Sequence, residues 1–247
     1  MSLKDKVVIV TGASTGIGRE TSIELGKLGM KVVIGNRNVK LGEEVVEIIK
    51  SNGGDAKFIK TDVSIENEVK NLIKFTLDEY GQFNYAFNNS GLLGDVEPIS
   101  QQKPSDSSYI VDVNIKGVIY CLHYQIQEMQ KYATASNPCS IVNNSSILSH
   151  AAYPGLTVYS ATKHAVSGLT KGMSITLLDH TQRLDVKMLK RYAWSFQKLT
   201  RTKKVIGRRT QLKQDEIRKD LFLRKIPNLY MENNFILEQI WQTLVNN

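Results

Sequence analysis

Short apolar runs alternate with stretches of helical periodicity up to about residue 178, and this alternation most restricts what the chain can fold into. Val7-Val8-Ile9-Val10, Val32-Val33-Ile34, Phe58-Ile59, Tyr85-Ala86-Phe87 and Ile141-Val142 are short and continuously apolar, the signature of strands buried on both faces. Between them, residues 17–28 place Ile17, Thr21, Leu25 and Leu28 at helical spacing, and Gly29 ends the pattern. Residues 40–51, 66–80, 107–132 and 156–178 read as four further helices, the second with Val69, Leu72, Ile73 and Leu77 on one face. Repeated strand–helix units predict the α/β class, a doubly wound parallel sheet in three αβα layers. In such sheets ligands bind beyond the carboxyl ends of the strands, so the loops that follow the strands matter most.

Composition narrows the class without naming a function. The 247 residues are 41% apolar and 23% charged, the balance of a globular protein. Two cysteines, Cys121 and Cys139, with no CxxC pair, fit neither a disulfide scaffold nor a zinc site. The four histidines, His123, His150, His164 and His180, lack ligand spacing, so no metal is expected. No apolar run reaches the roughly 18 residues of a membrane span, and Met1–Lys6 is no signal peptide; the expectation is a cytoplasmic protein. The sequons at Asn88, Asn143 and Asn144 fall at strand ends and are expected to be chance matches.

The net charge of +8 is lopsided. Residues 1–179 carry 17 basic and 18 acidic side chains, whereas residues 180–247 carry 15 and 6. Sixteen of the 17 glycines also precede residue 180. The basic run within 198–213 holds no acidic residue and few aromatic ones, so it reads as a solvated face rather than a nucleic-acid site.

The loop after the first strand reads Thr11-Gly12-Ala13-Ser14-Thr15-Gly16-Ile17-Gly18 and opens a helix. Gly12 suits a tight turn, and Gly16 and Gly18 let backbone approach a pyrophosphate at a helix N-terminus. A glycine-rich turn without a ligand would have the same composition. At the end of the second strand, neutral Asn36 and cationic Arg37 suit the 2′-phosphate of NADP better than the 2′-hydroxyl of NAD, although Arg37 could equally be a surface arginine. Farther on, Tyr159 and Lys163 stand four apart on one helix face, where an ammonium favours the ionised form of a phenol. Such a pair is commonplace by itself; Ser146 beyond the fifth strand, Asn114 in the long helix and Asn88-Asn89-Ser90-Gly91 after the fourth strand give it context.

Together, Thr11-Gly12-x-x-x-Gly16-x-Gly18, Asp62-Val63, Asn88-Asn89-Ser90-Gly91, Asn114, Ser146 and Tyr159-x-x-x-Lys163 resemble the motifs of the short-chain dehydrogenase/reductase family across residues 1–178. The family usually has Ala where Ser90 stands. The resemblance implies a Rossmann-type domain that binds NAD(P) and interconverts a carbonyl with a secondary alcohol. By it, Tyr159 is the acid/base, Ser146 holds the substrate oxygen, and Lys163 holds the nicotinamide ribose and lowers the tyrosine pKa. Asn114 positions a water beside Lys163, Asp62 with Val63 faces the adenine, and Asn88 braces the cofactor alongside Ser90 and Gly91. It also implies a homodimer or homotetramer.

Residues 179–247 depart from this pattern. A strand could run through Leu184–Met188, but Lys187 and Lys190 suit a buried central strand poorly. The family's Pro-Gly loop against the nicotinamide has no counterpart, since Pro227 is the only proline after Pro154. Leu229, Phe235, Ile236, Ile240, Trp241 and Leu244 suggest amphipathic helices instead. Two explanations stand: an extension that docks on the sheet or on a second subunit, or a reading-frame slip near codon 176. Codons for Tyr192-Ala193-Trp194-Ser195, read one nucleotide later, can spell Met-Pro-Gly-Ala. Either a working oxidoreductase or a cofactor-binding protein with impaired catalysis is compatible with this ending.

Overall fold

A computed structural model describes residues 3–176 and 184–189, with side chains through Ser174. In chain order the elements are β1 (Val7–Thr11), α1 (Gly16–Lys27), β2 (Lys31–Asn36), α2 (Val39–Ser51), β3 (Asp55–Lys60), α3 (Glu66–Tyr80) and β4 (Tyr85–Asn88). There follow α4 (Pro104–Val111), a π-turn (Asp112–Lys116), α5 (Gly117–Met129), β5 (Cys139–Asn144), a 3-10 turn (Ile147–Ser149), α6 (Thr157–Thr176) and β6 (Leu184–Leu189). The strands form one parallel sheet in the order β3-β2-β1-β4-β5-β6. This is the doubly wound, Rossmann-type α/β arrangement that the alternating pattern predicts.

Period-two alternation sorts each apolar run onto two faces. Val8 and Val10 of β1 join Val32 and Ile34 of β2 in a cluster with Ile23 and Leu25 of α1 and Val45, Val46 and Ile49 of α2. Val7, Ile9 and Val33 face the other way, against Leu72 and Ile73 of α3, Val118, Leu122 and Met129 of α5 and Val166 of α6. Strand order reverses between β1 and β4, so the loops after those two strands border the crevice where this architecture takes ligands.

Two expectations about elements need correction. The helix expected over 107–132 begins at Pro104, whose fixed φ suits a first helical position, and it is interrupted by the π-turn before α5. The doubtful strand is present: Leu184–Leu189 pairs with β5 from Cys139↔Leu184 to Asn144↔Leu189. Among the described residues β6 is the last strand of the sheet. The sheet thus continues past residue 178. The basic run and the amphipathic pattern after residue 190 lie outside the described residues.

Candidate active site

The glycine loop is fixed by close backbone contacts. Gly12 (φ +65°) donates its N–H to Gly35 O at 2.9 Å, and a Cβ on it would lie 2.9 Å from Ser90 Cα. A Cβ on Gly18 would lie 2.4 Å from Gly12 O, so α1 can start this close to β1 only without a side chain there. Gly16 is different: its φ is +56°, it is exposed, and no atom of the described residues lies within 4 Å of where its Cβ would stand. Thr15 precedes the first turn of α1 without a side-chain capping bond, while Ser14 is half-buried beside it and Ile17 packs onto the core. The loop therefore presents open backbone at a helix N-terminus, a place where an anion fits.

At the neighbouring end of the crevice, Arg37 is exposed and donates to the Tyr109 hydroxyl, its guanidinium 5.9 Å from the Tyr109 ring centroid and 3.9 Å from Asp62 Oδ2. Asp62 Oδ1 accepts from Ser64 N at 3.0 Å and Ser64 Oγ at 2.7 Å, which leaves Oδ2 toward Arg37. Asn36 turns its amide to Asn38 O at 3.0 Å, and Val63 is buried in a small cluster with Val69, Val113 and Cys121. Tyr109 carried no signal in the sequence, because one aromatic residue in a polar helical turn has no motif to belong to.

The other end holds Tyr159, Lys163 and Asn114, with Ser146 two residues past the end of β5. Tyr159 is half-buried in the first turn of α6, and Lys163, one turn on, is buried with Nζ 5.7 Å from the Tyr159 ring centroid. Lys163 Nζ donates to Asn144 O at 2.9 Å. Ser146 is buried; its Oγ accepts from Leu148 N at 3.2 Å and so caps the 3-10 turn. Asn114 lies in the π-turn and spends its amide on protein: Oδ1 accepts from Leu92 N and Nδ2 donates to Leu92 O, each at 2.8 Å, with Thr162 Oγ1 at 3.1 Å from the same nitrogen. A Cβ on Gly91 would lie 3.3 Å from Asn114 Oδ1 and 3.5 Å from Lys163 Nζ, so both groups flank that glycine.

Asn88 turns inward. Its Nδ2 donates to Gln125 Oε1 and Asn143 Oδ1, both at 2.9 Å, and its Oδ1 accepts from Gln125 Nε2 at 2.8 Å. Any bracing by Asn88 therefore passes through sheet and helix. Asn89, its neighbour, faces the glycine loop, where Nδ2 donates to Gly12 O at 2.9 Å and Thr11 O at 3.2 Å. Ser90 N–H donates to Thr11 Oγ1 at 3.2 Å. The sequon asparagines Asn88, Asn143 and Asn144 are all buried. Among the described residues no group of three or more His, Cys, Asp or Glu side chains could hold a metal ion, and no helix is long and apolar enough to cross a membrane.

Comparison with known proteins agrees with this geometry. Residues 6–189 match the short chain dehydrogenase family. A 3beta-hydroxysteroid dehydrogenase of Mediterraneibacter gnavus is 35% identical over 69% of this chain and 60% of its own. An uncharacterised oxidoreductase of Listeria monocytogenes is 37% identical over 68% of this chain and 66% of its own. The match thus spans less than two thirds of the length of these relatives. Among solved structures, a 3-ketoacyl-(acyl-carrier-protein) reductase from Brucella melitensis complexed with NADH superposes with a TM-score of 0.72 at 28% identity, covering 76% of each chain. A metagenomic short-chain oxidoreductase in complex with NADP gives 0.71 at 27% identity over 78% of this chain and 85% of that one. With its sheet order, its glycine loop and a family match over most of its length in agreement, the chain belongs to the short-chain dehydrogenase/reductase family.

Proposed function

We propose that this protein is an NAD(P)-dependent oxidoreductase acting on a carbonyl/secondary-alcohol pair, with Tyr159 as acid/base. One observation carries the reading: the Lys163 ammonium stands 5.7 Å from the Tyr159 ring at the same sheet edge as the open glycine loop. The residues fit a dinucleotide. Gly16 leaves room for a pyrophosphate at the start of α1, and Arg37, held beside Tyr109 and Asp62, suits a 2′-phosphate; this favours NADP over NAD. Lys163 would hold the nicotinamide ribose, and Ser14, Thr15, Asn36, Val63, Ser90 and Gly91 would border the rest.

The bound dinucleotide supplies or accepts the hydride. The chain handles the proton. In reduction Tyr159 Oη gives its proton to the substrate oxygen, which becomes a hydroxyl; in oxidation the phenolate takes that proton back. Ser146 Oγ, already accepting from Leu148 N, keeps its own O–H to donate to the same oxygen. The nearby ammonium favours the phenolate that reduction leaves behind. Asn114 ties the loop after β4 to α6 and so sets Gly91 against Lys163.

Relatives include a 3beta-hydroxysteroid dehydrogenase and a cyclohexanol dehydrogenase of Acinetobacter, so cyclic secondary alcohols are the first substrates to try. A second reading, a dinucleotide-binding protein of impaired catalysis, draws on the missing Pro-Gly loop. Titration with NADPH and NADH by nicotinamide fluorescence, followed by turnover of cyclohexanol and a 3β-hydroxysteroid with NADP+ or NAD+ as hydride acceptor, separates the two. The enzyme reading expects binding and turnover, and Tyr159→Phe to bind normally while losing about 10²–10⁴-fold in rate. Binding without turnover selects the second reading, and binding of neither dinucleotide overturns both.

A further inference from the structure

Asn144, the last residue of β5, links the two ends of the crevice. Its main-chain carbonyl accepts from Lys163 Nζ at 2.9 Å, and its side-chain Nδ2 donates to Asn89 Oδ1 at 2.8 Å. Asn89 passes the link on, donating through Nδ2 to Gly12 O at 2.9 Å. That nitrogen is wedged tightly, since a Cβ on Gly18 would come within 2.5 Å of it. Three hydrogen bonds thus run from the ammonium on α6 to the peptide of the glycine loop.

The other half of the Asn144 amide is costly. Asn144 Oδ1 is buried and, among the described residues, has no hydrogen-bond partner. Such an orphaned acceptor costs about 1–3 kcal/mol, which an apolar side chain of the same size would avoid. A residue that served only to fill the end of β5 would be better apolar. The return for the amide is its Nδ2–Asn89 bond, and what that bond controls is the setting of Asn89 against Gly12.

We infer that Asn144 is a positioning residue for the dinucleotide: through Asn89 it holds the glycine loop in register with Lys163, so that pyrophosphate and nicotinamide ribose are met together. The inference rests on the dinucleotide-binding reading above. It separates binding from stability in a way that a structural role would not.

The test is Asn144→Leu in the full 247-residue chain, which removes both the orphaned acceptor and the donor, with Asn144→Ala as a variant that adds no bulk. Thermal unfolding of Asn144→Leu is expected near the wild-type midpoint, because relief of the orphaned Oδ1 offsets the donor lost to half-buried Asn89 Oδ1. The Kd for NADPH or NADH, read by nicotinamide fluorescence, is expected to rise about three- to tenfold in both variants, the loss of one hydrogen bond's net contribution. A midpoint for Asn144→Leu clearly below wild type would make the residue structural and overturn the inference. Unchanged Kd values in folded variants would overturn it too. Wild-type protein that binds neither dinucleotide would instead remove the reading beneath it.

Discussion

The buried amides behind the site allow a quantitative test of the fold. Gln125 and Asn143 are fully buried and Asn88 nearly so, and each amide is satisfied by another side chain. Asn88 exchanges two hydrogen bonds with Gln125 and gives a third to Asn143, while Asn143 Nδ2 donates to Thr170 Oγ1 at 3.0 Å. Asn88→Leu keeps the volume but strands three polar atoms: Gln125 Oε1, Gln125 Nε2 and Asn143 Oδ1. At about 1 kcal/mol each at the low end, the loss is about 3 kcal/mol or more, a large part of the 5–15 kcal/mol of an ordinary domain. Gln125→Leu strands only Asn88 Oδ1, because Asn88 Nδ2 still reaches Asn143, and costs about 1–3 kcal/mol. The double variant strands only Asn143 Oδ1. It is therefore expected to be more stable than Asn88→Leu alone, although it carries one more substitution. Urea unfolding followed by circular dichroism, with the m-value checked for constancy, measures all four corners of the cycle. A double variant that loses the sum of the two single losses would refute the network account.

Three further predictions concern packing, thiol reactivity and pH. Gly18→Ala drives a methyl into Gly12 O and is expected to cost about 1–3 kcal/mol, whereas Gly168→Ala, within α6 and with no atom of the described residues inside 4 Å of the new methyl, is expected to gain up to about 1 kcal/mol; thermal unfolding of both reads the opposite signs. Burial pushes the Cys121 and Cys139 thiols up from 9.0 to about 12, so neither is expected to react with a disulfide reagent at pH 8 until the chain unfolds. The same shift sets a linkage: below pH 9.0 both states keep these protons, and between 9.0 and about 12 the unfolded chain releases protons that the folded one retains. Urea midpoints are therefore expected to fall with rising pH across that window, and midpoints that rise there would contradict it.

The sequence was most legible where burial is two-sided. Val7–Val10 announces β1 because both of its faces meet helices, and the helix expected over 66–80 is α3 to the residue. β3, at one end of the described sheet, reads worst. Only Phe58-Ile59 stands out of it, since Lys57 reaches out to Glu79 at 2.8 Å and Lys60 is exposed. An edge strand buries less, so charges enter it and erase the pattern that identifies central strands. In the candidate site, motif spacing singles out Tyr159, Lys163 and Asn114, which lie together beside Gly91, and the glycine loop after β1. What spacing cannot carry is side-chain direction. It does not say that Asn88 faces Gln125, that Arg37 lies against Tyr109, or that Asn144 reaches Asn89.

The π-turn shows why a local irregularity sits at this edge. One extra residue in a helical turn advances every later side chain by about 100° relative to the preceding helix. Before it, Ile110 of α4 packs so closely on the loop after β4 that a Cβ on Gly94 would lie 2.2 Å from Ile110 Cδ1. After it, Gly117 packs on Val63, and Val118 and Leu122 of α5 enter the core below the sheet. A regular helix has one apolar stripe and could not keep both contacts while aiming Asn114 at Leu92 and Thr162. The turn gives up regular i→i−4 hydrogen bonding, and the Asn114 amide returns three bonds that fasten the loop after β4 to α6. The irregularity lies where the chain must hold Gly91 against Lys163, and there local helix geometry yields to the site.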